Sequence, residues 1–156
     1  MKYYYSEKEK IIYTGVMGAE DREATPEEVD NHFGTDLESQ KKKKIEELKT
    51  IRNEKESGGF PYMGKVLDSD ALSCQRMSMA AQSATTAILT KQAFPELLWS
   101  CADNSSLLLD AEGLAGIPGA LSMFSAKLHG IYGELKVQIE AATTKETLEL
   151  IKWPEE

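Results

Sequence analysis

The spacing of apolar and polar positions shifts along this chain, and each shift predicts an element. Over "MKYYYSEKEKIIYTG", tyrosine and isoleucine gather in two short runs, Lys2–Tyr5 and Ile11–Thr14, around a charged stretch. Such residues suit a pleated, half-buried surface, so a β-hairpin is expected. In "EATPEEVDNHFG", Thr25 stands as an N-cap, Pro26 at the first helical position, Glu27 and Glu28 in the first turn and Gly34 as a stop. Together they mark a helix of one or two turns. "TDLESQKKKKIEELKTIRNEKESGG" then carries strong helix formers, Thr35 and Glu38 at capping-box spacing, and Gly58 just past the end. Its apolar positions are only Leu37, Ile45, Leu48 and Ile51. So narrow a stripe predicts a helix that bridges two modules through solvent or takes a partner helix.

After Gly58 the pattern changes again. "GGFPYMGKVLDSD" predicts a hairpin with Met63-Gly64 as its two-residue turn, Phe60 opposite Leu67 and Tyr62 opposite Lys65. Asp68 and Asp70 fail the calcium-loop pattern, which would put Leu72 and Ser73 at its fifth and sixth positions, so Asp70 or Ser69 is expected to cap the next helix. That helix, "ALSCQRMSMAAQSATTAILT", offers Leu72, Met79, Ala80, Ala84, Ala87 and Ile88 as its apolar face, with Met77 and Met79 as adaptable packing. "PELLWSCADNSSLLLD" predicts a second hairpin turning at Asp103-Asn104, with Trp99 opposite Leu108 and Cys101 opposite Ser106. Beyond the capping Asp110, apolar residues at Leu114, Ile117, Leu121, Phe124, Leu128, Ile131 and Leu135 alternate by three and four, a core helix. Pro118 inside it is expected to kink or split it. A short last helix starts at Thr143 or Thr144. The resulting fold class is α+β: an N-terminal hairpin and short helix over 1–34, a linker helix over 35–57, and a C-terminal domain over 58–156. This last domain packs two hairpins with a middle helix, a long kinked helix and a short terminal one.

Charge narrows the functions open to such a fold. A net charge of -8 over 156 residues argues against sequence-independent nucleic-acid binding, which needs a cationic surface to displace counterions. The "KKKK" run at Lys41–Lys44 meets Glu46 and Glu47 at once and forms a solvated helix face. Neither an apolar leader nor a membrane-length apolar run occurs, so cytoplasmic synthesis without membrane insertion is expected. Cys74 and Cys101 lack metal or redox spacing and are expected as buried free thiols.

Candidate chemistry is sparse. His32 and His129 are the two histidines, and no G-x-S-x-G elbow, Walker A, G-x-G-x-x-G or H-E-x-x-H pattern accompanies them. The expectation is a non-enzymatic protein with no cofactor or metal, acting by contact. Three consecutive tyrosines mark where: a strand projects Tyr4 opposite to Tyr3 and Tyr5, so a small hairpin leaves at least one ring uncovered. Tyr3, Tyr4, Tyr5, Ile11 and Tyr13 are therefore the candidate partner-binding residues, tyrosine adding both area and a hydroxyl at interfaces. The alternative is that the three rings cover the linker helix through Ile45 and Leu48.

Three separated blocks carry a resemblance. "IRNEKESGGFPYMGKVLDSDALSCQRM", "LLWSCADNSSLLLDAEGL" and "LKVQIEAATTKETLELI" resemble, in that order, a domain-of-unknown-function family widespread in tailed-phage and prophage genes. There it forms the C-terminal domain of small proteins linked with tail fibres and their assembly. "MKYYYS" is similar to the start of phage tail-fibre assembly proteins. Met63 departs from the pattern, standing where a turn-former such as Asn is expected before Gly64. The resemblance implies a tail-fibre assembly chaperone or a small fibre- or baseplate-associated virion component, in the host cytoplasm during assembly or in the virion tail. Its partner would be a fibre or baseplate protein, with self-association through the linker helix as a further contact. The rival reading is a soluble phage-encoded inhibitor of a host protein. For it, the 9 acidic against 4 basic residues over 1–36 supply a surface.

Overall fold

Strands form where the β-formers cluster. In the computed structural model, which describes residues 1–155, β1 (Tyr3–Ser6) pairs antiparallel with β2 (Ile11–Thr14), Tyr4 opposite Tyr13 and Tyr5 opposite Ile12. A third strand, β3 (Arg22–Glu23), takes the other edge of β1, so the sheet order is β2-β1-β3. Nothing in two charged residues announces a strand; β3 exists because β1 has a free edge to pair.

Helix α1 (Pro26–Phe33) begins on a capping box, Thr25 accepting from the Glu28 amide while Glu28 reaches back to the Thr25 amide, and Gly34 ends it at φ 63°. Helix α2 (Leu37–Ser57) starts on Asp36 rather than Thr35. Asp36 Oδ1 accepts the Ser39 amide at 3.0 Å, and the Thr35 hydroxyl instead donates to the Asp30 carboxylate at 2.6 Å. At its other end Gly59, not Gly58, takes the left-handed conformation at φ 106°.

Strands β4 (Phe60–Tyr62) and β5 (Lys65–Leu67) pair in the expected register, with Met63 and Gly64 at φ 47° and 77°. Strands β6 (Leu97–Ser100) and β7 (Ser106–Leu109) do not: Trp99 faces Leu107 and Ser100 faces Ser106. The turn is longer than the expected two residues. Asn104 donates to Cys101 O at 2.9 Å and adopts φ 59°, the Cys101 amide bonds Ser105 O, and Asp103 Oδ1 holds the Ser105 amide. A type I turn followed by a left-handed asparagine therefore slips the ladder by one and leaves Leu98 and Leu108 exposed opposite each other.

Helix α3 (Ala71–Thr90) is capped by Asp70, and its buried face is Met77, Ala81, Ala84 and Ala87. Leu72, Met79 and Ile88, expected inward, are exposed. The small residues let a neighbour approach closely, and that face packs in preference to the larger, dispersed ones. Helix α4 (Ala111–Ala141) follows Asp110, whose Oδ1 holds the Gly113 amide, and Pro118 lies inside it without splitting it. Leu114, Ile117, Leu128 and Leu135 are buried as the three-four pattern requires, with Leu121, Phe124 and Ile131 half-buried. Thr144 caps α5 (Lys145–Glu149).

The architecture is thus α+β. By compactness, the chain divides into Met1–Glu47 with Leu135–Pro154 and into Leu48–Glu134, a division that falls within α2 and α4. The second unit holds the hydrophobic core of Phe60, Leu67, Met77, Ala84, Cys101, Leu109, Leu114 and Ile117. In the first, Lys41 donates to Glu140 O and Lys145 pairs with Asp30 at 3.4 Å.

Candidate functional site

Strand alternation sorts the candidate residues onto two faces of the N-terminal sheet. Tyr3 and Tyr5 share one face with Arg22, which stands opposite Tyr5 in β3. That face is half-buried and makes contacts within its own unit. The Tyr3 ring lies 5.3 Å from Phe33 of α1, and the Tyr5 ring is flanked by the Arg22 guanidinium at 4.7 Å and the Lys10 ammonium at 5.9 Å. Arg22 is itself anchored by two bonds to Glu28, at 2.7 and 2.5 Å, and by one to Glu7 at 3.1 Å. The guanidinium, with the Thr25 amide behind it, pulls the Glu28 carboxyl down to about 2.

The opposite face carries Tyr4, Ile11 and Tyr13, the last two lying across from Ser6 and Tyr4. Tyr4 and Tyr13 rings meet at 5.9 Å, while Ile11 is exposed. The Tyr13 hydroxyl donates to Asp21 Oδ2 at 2.7 Å and accepts the Gly18 amide at 2.9 Å. The Asp21 bond pushes the phenol pKa above its ordinary value. The same bonds pin the 15–21 loop, where the Asp21 amide also bonds Gly18 O and a side chain at Gly18 would collide with the Asp21 carboxylate. This held loop turns Val16 outward, 92% exposed, with Met17 beside it at 48%. Phe33 is exposed at 49% despite its contact with Tyr3.

The five residues thus share one sheet but not one surface. All four tyrosines are half-buried: Tyr3 and Tyr5 pack against Phe33, Arg22 and Lys10, Tyr4 and Tyr13 against each other, and of the five only Ile11 is exposed. Val16 and Met17 were missed in the sequence reading, although a dipeptide of apolar residues between Gly15 and Gly18 is a legible signal for a presented turn. The charge around them is acidic. Lys2, Lys10 and Arg22 pair with Glu23, Glu7 and Glu28, and among the described residues Glu9, Glu20 and Glu27 have no ion pair.

A second polar cluster lies in the other unit. The Ser125 hydroxyl donates to Glu56 Oε1, and His129 Nε2 stands 3.5 Å from Glu56 Oε2. The carboxylate sits between hydroxyl and imidazole, whereas nucleophile activation requires the imidazole in the middle. Among the described residues no group of three His, Cys, Asp or Glu side chains could hold a metal ion, and no helix is long and apolar enough to cross a membrane.

A family model described as Domain of unknown function (DUF4376) matches residues 39–152. No curated protein and no solved structure matches the chain. The matched span begins inside α2, so the sheet of β1, β2 and β3 lies outside it.

Proposed function

We propose that this chain, a member of the DUF4376 family, is a non-enzymatic tailed-phage protein acting by protein–protein contact. It is either a tail-fibre assembly chaperone or a small virion component on the fibre or baseplate, working in the host cytoplasm during assembly or in the finished tail. The contact surface is the sheet face of Tyr4, Ile11 and Tyr13 with the loop that presents Val16 and Met17. The observation that supports this reading is the pinned loop: its hydrogen bonds order an apolar dipeptide at the surface, where a partner can cover it. The phage assignment rests on the resemblance of the three sequence blocks and of the opening "MKYYYS".

The experiment is co-purification with the fibre protein. Wild type is expected to retain it, and Val16→Asp with Ile11→Asp to lose it while the fold is kept; retention by the double variant would reject this surface. Mass spectrometry of purified virions then separates a component, which is present, from a chaperone, which is absent. The unpaired Glu9, Glu20 and Glu27 favour a second reading, an inhibitor bound to a basic host protein. Recovery of only the fibre protein from a mixed host and phage lysate eliminates it.

A further inference from the structure

Between the C-terminal end of α2, the start of α3 and the first half of α4, the second unit holds a cavity of about 600 Å³, within the size range of small-ligand sites. Its apolar side is formed by Met77 and Ile117, both fully buried, with Leu121 beside them. Glu56 supplies the charge. Ser78 and Ser122 open into the same space, and their hydroxyls make no hydrogen bond within the described chain.

We propose that this cavity is a binding site for a primary alkylammonium group, carried by a free amine or by the side chain of a lysine. An apolar wall with one anionic group at its edge matches an alkyl chain ending in a positive charge. The ammonium is preferred to a guanidinium on geometric grounds. Ser125 already donates to one Glu56 oxygen and His129 lies beside the other, so both oxygens are flanked and a planar guanidinium fork, which must reach the two together, fits less well than a single-point donor. A compact ammonium has three rotatable donors that can each find a separate acceptor, and an open Glu56 lone pair and the Ser78 and Ser122 hydroxyls line the same cavity. The carboxylate is about a third exposed, so a ligand reaches it without unfolding the site. This assignment is independent of the N-terminal contact surface.

The test is an NMR titration of the full chain, reading the Met77 methyl and the Ser122 and Ser125 amides. The probes are n-butylamine, a capped tripeptide with a central lysine, and 1-butanol. Saturable shifts with n-butylamine are expected. Glu56→Gln, which keeps an acceptor for Ser125, should weaken them at least about tenfold, the loss expected for one charge-assisted hydrogen bond. Ser125→Ala keeps the carboxylate and should keep binding. In wild type, added salt should weaken the amine and leave the alcohol unchanged, a readout that needs no variant. Saturation by the tripeptide as well assigns the site to a lysine side chain; saturation by the amine alone assigns it to a free amine. Equal binding of 1-butanol, indifference of the amine to Glu56→Gln, or no saturable shift with amine or tripeptide would overturn the proposal.

Discussion

The N-terminal sheet with α1 and the core of the second unit are held by different forces. In β1, β2, β3 and α1 only Ser6 is buried, and the contacts are ring pairs, a guanidinium over Tyr5, surface ion pairs and a capping box. In the second unit, Phe60, Leu67, Leu114 and Ile117 are removed from water completely. Burial of a large side chain contributes roughly 1.5–3 kcal/mol, whereas an exposed ion pair contributes about 0–1 kcal/mol. The comparison teaches a division of labour: one region is stable by area, and the other is ordered by directional contacts that leave apolar surface uncovered.

The sharpest way to break that contrast is in the core. Phe60→Ala should cost about 3–5 kcal/mol in urea unfolding, since the ring is fully buried beside Tyr62 and Phe124. Phe124→Ala, half-buried 6.4 Å from Phe60, should cost about 2 kcal/mol. Equal losses would show that Phe124 is more enclosed than its exposure indicates. In the N-terminal region, Thr25→Ala removes the α1 cap and should cost about 1 kcal/mol, confined to α1 and read as faster amide exchange over 26–33.

Acid should act on the same region. Glu28 is held at about 2, below an ordinary glutamate, so its contribution is full above the ordinary carboxylate range and declines below it. It is lost as pH falls through about 2. NMR of the Thr25 amide should follow that decline in wild type, and Arg22→Ala should move it up toward the ordinary range. An unmoved midpoint would mean that Arg22 does not hold Glu28. The smallest effect is at the first hairpin: Met63→Asn should stabilise by roughly 0.5 kcal/mol, because asparagine tolerates the left-handed φ of 47° better than methionine. A loss of stability would show that the methionine side chain packs.

How much of this was legible depended on how many solutions each stretch allows. Met63-Gly64 leaves one register for β4 and β5, and that register is found. The stretch from Cys101 to Ser105 allows two, and the choice rests on the Asp103 side chain reaching the Ser105 amide, which no alternation pattern reveals. The three-four stripe of α4 was readable because its residues are large, whereas the packed face of α3 is mostly alanine and carries little hydropathy contrast. Strand alternation separated Tyr4 from Tyr3 and Tyr5. That Tyr3 and Tyr5 meet Phe33 and Arg22 was not legible, because these approach only once α1 and β3 are in place.

Native-state hydrogen exchange at low and high salt tests the central contrast most directly. The account predicts that amides of β1, β2 and α1 exchange faster than those of α3 and the Leu114–Leu128 stretch of α4. Salt should widen the gap by screening Arg22, Glu7 and Glu28 while leaving apolar burial intact. Equal protection in the two regions, with the same response to salt, would contradict it.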